Sequence, residues 1–165
     1  MTAQLSKRHV ATHEAAHAVL AVVCGLPFDH VTIISDDGSN GRINLKLGKR
    51  RMSRERCELY VLVALAGPAA SKKLHPHSHP FSYAVNDWTE AQRIAGGLYF
   101  DEVTARAYFK FKQVEAGQFV NRLWRPIEAV AAALIERGTL TSDEVKLTMQ
   151  LAMLDSVNKE TMKAA

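Results

Sequence analysis

The chain has 165 residues, of which 47% are hydrophobic and 23% are charged, and its net charge is +4. This length and balance predict one globular domain over residues 1–165 and exclude a disordered or strongly charged polymer. No apolar run is long enough to span a membrane, and the first residues lack the apolar core of a signal peptide. Cys24 and Cys57 show no metal or redox spacing, so we expect a cytoplasmic protein.

The first predicted helix runs from Ser6 to Cys24. Ser6 is a suitable cap, and Gly25 and Pro27 end the helix. The segment from about His30 to Leu47 then predicts a β-hairpin, because β-formers and alternating apolar residues flank the turn sequence DDGSNG.

Two helical regions follow the hairpin before the C-terminal third of the chain. A helix over about residues 53–66 is interrupted by Gly67-Pro68 and resumes for a turn or two in AASKKL. HPHSHPFSYAV predicts a loop, and the next helix begins near residue 87, capped by Asn86 or Asp87, and ends near Leu98.

The C-terminal third predicts three helices. Two lie within residues 101–138, the second kinked or started at Pro126 and ended by Gly138. A short final helix is capped by Thr141 or Ser142 and precedes a polar tail at about residues 155–165. The predicted fold class is therefore mainly α (α+β), with one small β-hairpin or sheet.

The sequence HEAAH within the first helix indicates a metal site. His13 and His17 are four residues apart, so both imidazoles lie on one face of a helix and can reach one ion. Glu14 lies beside that face, where its carboxylate can act as a general base rather than as a ligand. Two helix-surface histidines without a metal remain the alternative interpretation.

A zinc site needs a third protein ligand, and the residues leave several choices open. The candidates are Glu58, His75, His77, His79, Asp87 and Glu90. Asp87 opens a helix, where backbone N–H groups can hold its carboxylate, but a plain capping role accounts for it equally well. His9 continues the stripe of His13 and His17, and we interpret it as a solvated first-turn residue.

The order of motifs resembles the peptidase domain of the FtsH-type AAA+ zinc proteases. HEAAHAVLAV is similar to that family's metal helix, PFDHVTIISDDGSNGRINL to its strand and hairpin, and VLVALAGPAASKKL to its GGRAAEEL helix. VNDWTEAQRIAGGLYF resembles the segment that carries the family's third zinc ligand, and AAALIERGTLTSDEV resembles its closing segment. The likeness covers about residues 5–147 and implies that His13, His17 and Asp87 bind zinc and that Glu14 is catalytic.

The resemblance implies a zinc metalloendopeptidase, a hydrolase that cuts unfolded or flexible polypeptides. The chain departs from the family at Ala16, which replaces a glycine, and in AGPAASKK, which lacks the family's Arg and Glu. It contains no Walker-type phosphate loop, so we expect ATP-independent proteolysis by this chain, with a separate unfoldase as a possible partner. The predicted hairpin can offer an edge strand to an extended peptide, or can simply cover the core.

Two other functions compete with proteolysis. The first is a catalytically silent zinc-binding adaptor or inhibitor domain. The second is a module that binds nucleic acid or an acidic partner through the basic stretch 46–56, which carries Lys46, Lys49, Arg50, Arg51, Arg54 and Arg56. The basic stretch lacks interleaved aromatic residues, so a solvated surface is the favoured interpretation and nucleic acid is not the expected partner. Neither the oligomeric state nor the natural substrate follows from the sequence.

Overall fold

The computed structural model describes residues 6–34, 41–46, 52–77 and 84–164. Its elements, in chain order, are α1 (Lys7–Val23), β1 (Phe28–Thr32), β2 (Arg42–Leu45), α2 (Arg54–Leu74), α3 (Val85–Leu98), α4 (Glu102–Arg122), α5 (Trp124–Arg137), β3 (Thr139–Thr141) and α6 (Ser142–Ala164). The predicted fold class, mainly helical with a small antiparallel sheet, is confirmed. In the described ranges, every helix is too short or too polar to cross a membrane.

Helix α1 lies at the centre of the domain, between α2 and α5. Ser6 caps it as predicted, since its hydroxyl accepts a hydrogen bond from the backbone N–H of His9 at 3.2 Å. Cys24 is the C-terminal cap, and Gly25 follows with a φ of 65°. Small alanine side chains let the neighbouring helices approach closely, so every residue from Ala11 to Ala21 is buried. The metal-site motif therefore lies on a core helix.

Helix α2 continues through Gly67 and Pro68, and the predicted interruption there is wrong. Pro68 has no N–H to donate to the preceding turn, which normally destabilises a helix interior by about 3 kcal/mol or more. Here the residues on both sides are buried, from Val61 through Pro68. Packing of this apolar segment against α1, α3 and α4 offsets the lost hydrogen bond.

The sheet contains the predicted hairpin and one strand that the sequence did not indicate. Its order is β2-β1-β3, with both pairs antiparallel, so Val31 of β1 lies opposite Ile43 on one side and Leu140 on the other. The turn at residues 35–40 and Leu47 lie outside the described residues. Among the described strands, β1 is paired on both sides and β2 is an edge strand of this sheet.

Helix α3 begins two residues earlier than predicted. Its N-cap is Ala84, which makes no side-chain capping bond, so the prediction of Asn86 or Asp87 as the cap is wrong. Asp87 instead lies in the first turn of the helix. Its carboxylate therefore does not cap the helix and is available to other partners.

The C-terminal helices follow the predicted order. Leu123 separates α4 from α5, Pro126 lies in the first turn of α5, and Gly138 ends α5 with a φ of 79°. Thr141 and Glu144 form a capping box: the Glu144 N–H donates to the Thr141 hydroxyl at 3.3 Å, and the Thr141 N–H donates to the Glu144 carboxylate at 2.7 Å. Helix α6 runs through Ala164, well beyond the short helix predicted before the polar tail.

Candidate metal centre

Helix α1 carries His13, Glu14 and His17 in the interior of the domain. Their exposed fractions are 7%, 7% and 4%. Burial of three ionisable groups within five residues is costly unless each has a partner, so their surroundings decide what the cluster can do. The interpretation of two surface histidines does not apply to this helix.

Asp87 of α3 meets both histidines. Its Oδ2 atom lies 2.9 Å from Nε2 of His13, and its Oδ1 atom lies 3.6 Å from Nε2 of His17. The two Nε2 atoms are 3.1 Å apart. The structure thus brings His13, His17 and Asp87 into one group that could hold a metal ion. Two imidazole lone pairs at this separation repel each other unless a proton or a cation is shared between them.

The Nδ1 atoms of both histidines form hydrogen bonds with residues of α2. Nδ1 of His17 donates to the backbone carbonyl of Val63 at 2.8 Å, which leaves Nε2 as the nitrogen that can ligate. Nδ1 of His13 lies 2.9 Å from the hydroxyl of Ser71, which is fully buried. A hydroxyl can donate or accept, so this contact suits either tautomer of His13. Both rings are thereby oriented with Nε2 towards Asp87.

Gly67 leaves space in front of the two Nε2 atoms. A β-carbon at this position would lie 2.3 Å from Nε2 of His17 and 2.5 Å from Nε2 of His13. Tetrahedral ligands at roughly 2.0–2.1 Å from one zinc ion are about 3.3 Å apart. The three separations of 2.9, 3.1 and 3.6 Å lie on both sides of that value. The donor atoms and the space beside Gly67 therefore fit a small divalent cation.

The charges of the cluster are strongly coupled. Burial alone lowers the pKa of His17, but the carboxylates of Asp87 and Glu14 outweigh it and raise this pKa to about 9. Burial also lowers the pKa of His13, against the effect of Asp87. For Asp87, burial raises the pKa, yet the two histidines bring it well below its usual range. An anionic Asp87 beside a cationic or metal-bound His17 is the favoured state.

Glu14 has the properties of a proton acceptor at neutral pH. Burial is the largest cause that raises its pKa, to about 7, while His17 acts in the opposite direction. A carboxyl group with a pKa near the working pH is well matched to general acid–base chemistry. Gly41, just before β2, packs against it, since a β-carbon there would lie 2.9 Å from Cγ of Glu14.

The other candidate third ligands are placed elsewhere. Glu58 pairs with Arg54 at 3.0 Å, and Glu90 pairs with Arg93 at 2.7 Å. In the described parts of the chain, neither His75 nor His77 belongs to a group that could hold a metal, and His79 lies outside those parts.

His9 is not the solvated residue that we expected. It is only 3% exposed, and its ring stacks on that of His75 with centroids 5.1 Å apart. Burial, together with His75 and His13, lowers the pKa of His9 to about 4. The first turn of α1 is therefore covered by the end of α2, and the stripe of histidines is buried along its whole length.

The described part of the basic stretch 46–56 has partners within the chain. Lys46 forms an ion pair with Asp29 at 2.5 Å, and Arg54 also lies over the ring of Tyr99 at 4.8 Å. Arg56 donates to the backbone carbonyl of Lys46 at 3.2 Å. Lys49, Arg50 and Arg51 lie outside the described residues. The three described cations are thus engaged in holding β2 and α2 in place.

Sequence reasoning missed four residues that shape the site: Gly41, Val63, Gly67 and Ser71. Three of them are spaced by four residues along α2 and so share the helix face that meets α1. This spacing indicates a shared face only in a continuous helix, and the predicted break at Gly67-Pro68 divides α2 in two. Gly41 contacts Glu14 only through the tertiary fold, so the sequence around it does not indicate this contact. Its positive φ of 116° is a conformation that favours glycine.

No protein-family model matches the chain, and no curated protein matches its sequence.

Proposed function

We propose that this protein is a zinc-dependent endopeptidase that hydrolyses peptide bonds in unfolded or flexible polypeptides, in the manner of the FtsH-type peptidase domain that its sequence resembles. The observation that supports this most directly is the convergence of His13, His17 and Asp87 around one point, with buried Glu14 next to them. Two imidazoles and one carboxylate, with a further position left open, form the ligand set of hydrolytic zinc centres.

In this proposal His13, His17 and Asp87 hold the zinc ion. The ion, when bound, acts as a Lewis acid that polarises the substrate carbonyl and eases the ionisation of water. Ser71 and the Val63 carbonyl keep both rings oriented, so that ligation requires little rearrangement.

Glu14 performs the proton transfers. Its carboxylate accepts a proton from the attacking water as the new C–O bond forms, and it then delivers that proton to the amine nitrogen as the C–N bond breaks. A pKa of about 7 lets the same group act in both directions near neutral pH. General-base residues of this kind contribute about 10²–10⁴-fold to the rate.

Edge strand β2 offers a place for the substrate backbone. It lies at the border of the sheet, and Gly41, directly before it in the chain, packs on Glu14. An extended peptide that adds to this edge is held by main-chain hydrogen bonds, which are indifferent to side-chain sequence. Its carbonyl is thereby brought towards the group that activates water. A folded globule cannot present its backbone in this way without unfolding, so flexible polypeptides are the proposed substrates.

The test compares the parent protein with Glu14→Gln and His17→Ala. Each is analysed for bound metals by mass spectrometry and incubated with casein, which is unfolded, and with a stable folded protein, with and without ATP. We expect about one zinc per chain in the parent and in Glu14→Gln, and little in His17→Ala. Only the parent should cut casein, at a rate that ATP does not change, and the folded protein should survive.

Three results would contradict the proposal. Equal cleavage by the parent and Glu14→Gln would remove Glu14 from the mechanism. Stoichiometric zinc with no cleavage of any unfolded substrate would favour the adaptor or inhibitor function instead. Stimulation of cutting by ATP would show that the chain possesses a motor activity, which the absence of a Walker-type loop argues against.

A further inference from the structure

A cleft of about 740 Å³ lies between α2, α3 and α4. Its floor is apolar: Leu65 and Pro68 of α2 are buried there, and Trp88 of α3 and Val120 of α4 complete it. The cleft uses faces of α2 and α3 other than those that form the candidate metal centre, since none of His13, His17 and Asp87 lines it. Its volume is within the range of about 300–1,000 Å³ that small-molecule sites occupy.

The rim of this cleft is positively charged. Lys72 and Lys73 of α2 and Lys110 of α4 line it, and no acidic residue does. Within the described ranges, no carboxylate lies within ion-pair distance of any of the three ammonium groups. By contrast, three other cations of α2 and α4 each pair with a carboxylate: Arg54 with Glu58, Arg106 with Glu102, and Lys112 with Glu115 at 2.7 Å. The cleft therefore combines apolar walls with uncompensated positive charge.

One of the three lysines is already positioned. The Lys73 ammonium donates to the side-chain oxygen of Asn121 at 2.6 Å and lies 5.0 Å from the centre of the Trp124 ring. Asn121 also lines the cleft, so these contacts keep the charge at its mouth rather than in bulk solvent. A lysine ammonium in such a place is suited to a carboxylate, sulfonate or phosphate group.

We propose that this cleft binds a small amphipathic organic anion, with an apolar aliphatic or aromatic body against Leu65, Pro68 and Trp88 and a single acidic head group between the lysines. The apolar walls exclude a fully polar anion such as inorganic phosphate as the preferred ligand. The charge of the rim disfavours a neutral or cationic molecule of the same shape. The site is independent of the proposed peptidase activity, because its lining residues are different.

The experiment uses two probes, anilinonaphthalene sulfonate, whose fluorescence rises in apolar sites, and dodecanoate as its competitor. The chain has two tryptophans, so Trp124→Phe leaves Trp88 as the single intrinsic reporter in the cleft. We expect saturable binding of the sulfonate, quenching of Trp88, and displacement by dodecanoate below its micellar concentration. Dodecanol and inorganic phosphate should not displace the probe.

Matched variants separate the head-group site from general charge. Lys72→Gln, Lys73→Gln and Lys110→Gln together should weaken both probes at least tenfold. The control, Arg93→Gln, Arg106→Gln and Lys146→Gln, removes the same charge from exposed positions away from the cleft and should bind as the parent does.

A second pair of variants tests the apolar part. Gly117 of α4 lines the cleft, and a β-carbon there meets nothing within 4 Å. Gly117→Leu should fill the space and abolish binding, whereas Gly117→Ala should retain it, and circular dichroism shows whether both remain folded. Unchanged binding in the lysine variant or in Gly117→Leu would overturn the proposal. So would equal binding of dodecanol, or binding only to vesicles of acidic lipid and not to free dodecanoate.

Discussion

Gly67 of α2 lies so close to His17 of α1 that a β-carbon at position 67 would stand 2.3 Å from the Nε2 atom of His17. The same β-carbon would lie 2.5 Å from Nε2 of His13. A methyl group cannot approach either nitrogen this closely, because such distances are typical of coordination rather than of van der Waals contact. The absence of a side chain at this position is therefore what keeps the space between the two histidines open.

Gly67→Ala should lose the metal. Alanine in a helix interior is usually more stable than glycine by about 1 kcal/mol, but here its methyl group would occupy the space of the ion or push α2 away from α1. The measurement is zinc content after dialysis, together with thermal unfolding. The matched control is Gly117→Ala in α4, whose β-carbon meets nothing. It should keep the zinc and gain up to about 1 kcal/mol. Full zinc content in Gly67→Ala would refute the proposed position of the ion.

The third ligand can be identified by comparing two variants. Asp87→Ala leaves only His13 and His17, which cannot close a zinc site, and we expect loss of the metal on dialysis. The triple variant His75→Ala, His77→Ala and His79→Ala should retain about one zinc per chain. Loss in the triple variant with retention in Asp87→Ala would show that the loop histidines supply the ligand instead.

Ser71→Ala should weaken metal binding without abolishing it. The hydroxyl of Ser71 is the partner of Nδ1 of His13, and removing it leaves that buried nitrogen without its hydrogen bond. Loss of such an outer contact typically costs about 10–100-fold in metal affinity. Competition with a chromophoric chelator measures the change. Thr148→Ala is the control, since that hydroxyl donates to the carbonyl of Glu144 in its own helix, and the variant's zinc affinity should equal the parent's.

Local signals in the sequence were sufficient for α1 and for the two histidines. The bounds of α1 follow from Ser6 and Gly25, and the shared face of His13 and His17 follows from their four-residue spacing. Both depend on one helix only, so they could be predicted without tertiary information. The same holds for Gly138 and Thr141, which end α5 and cap α6.

Features that depend on packing could not be predicted in this way. Proline usually ends or kinks a helix, and only the burial of α2 on several sides explains why it continues through Pro68. Strand β3 has three residues, and its extended conformation depends on antiparallel pairing with β1. The contact of Ser71 with His13 joins residues 58 positions apart. Asp87 is one of six candidates in the sequence, and only the contact of α3 with α1 singles it out.

The last prediction concerns competition between protons and the metal. In the absence of an ion, His17 has a pKa of about 9, because Asp87 and Glu14 favour its charged form despite its burial. A protonated imidazole cannot ligate, so at pH 7 one proton must leave His17 when the metal enters. Raising the pH removes that proton in advance, and the apparent affinity for zinc should rise about tenfold per pH unit between pH 7 and pH 9, then level off.

Calorimetric titration in buffers of different protonation enthalpy counts the released protons directly, and chelator competition gives the affinity at each pH. We expect close to one proton per zinc at pH 7.5 and almost none from His17 at pH 10. Asp87→Asn removes the carboxylate that raises the pKa of His17 most, so its weaker binding should also depend less on pH in this window. An affinity that is flat from pH 7 to pH 9 in the parent would mean that His17 is already neutral. Asp87 would then stabilise the site by hydrogen bonding to His13 rather than by its charge on His17.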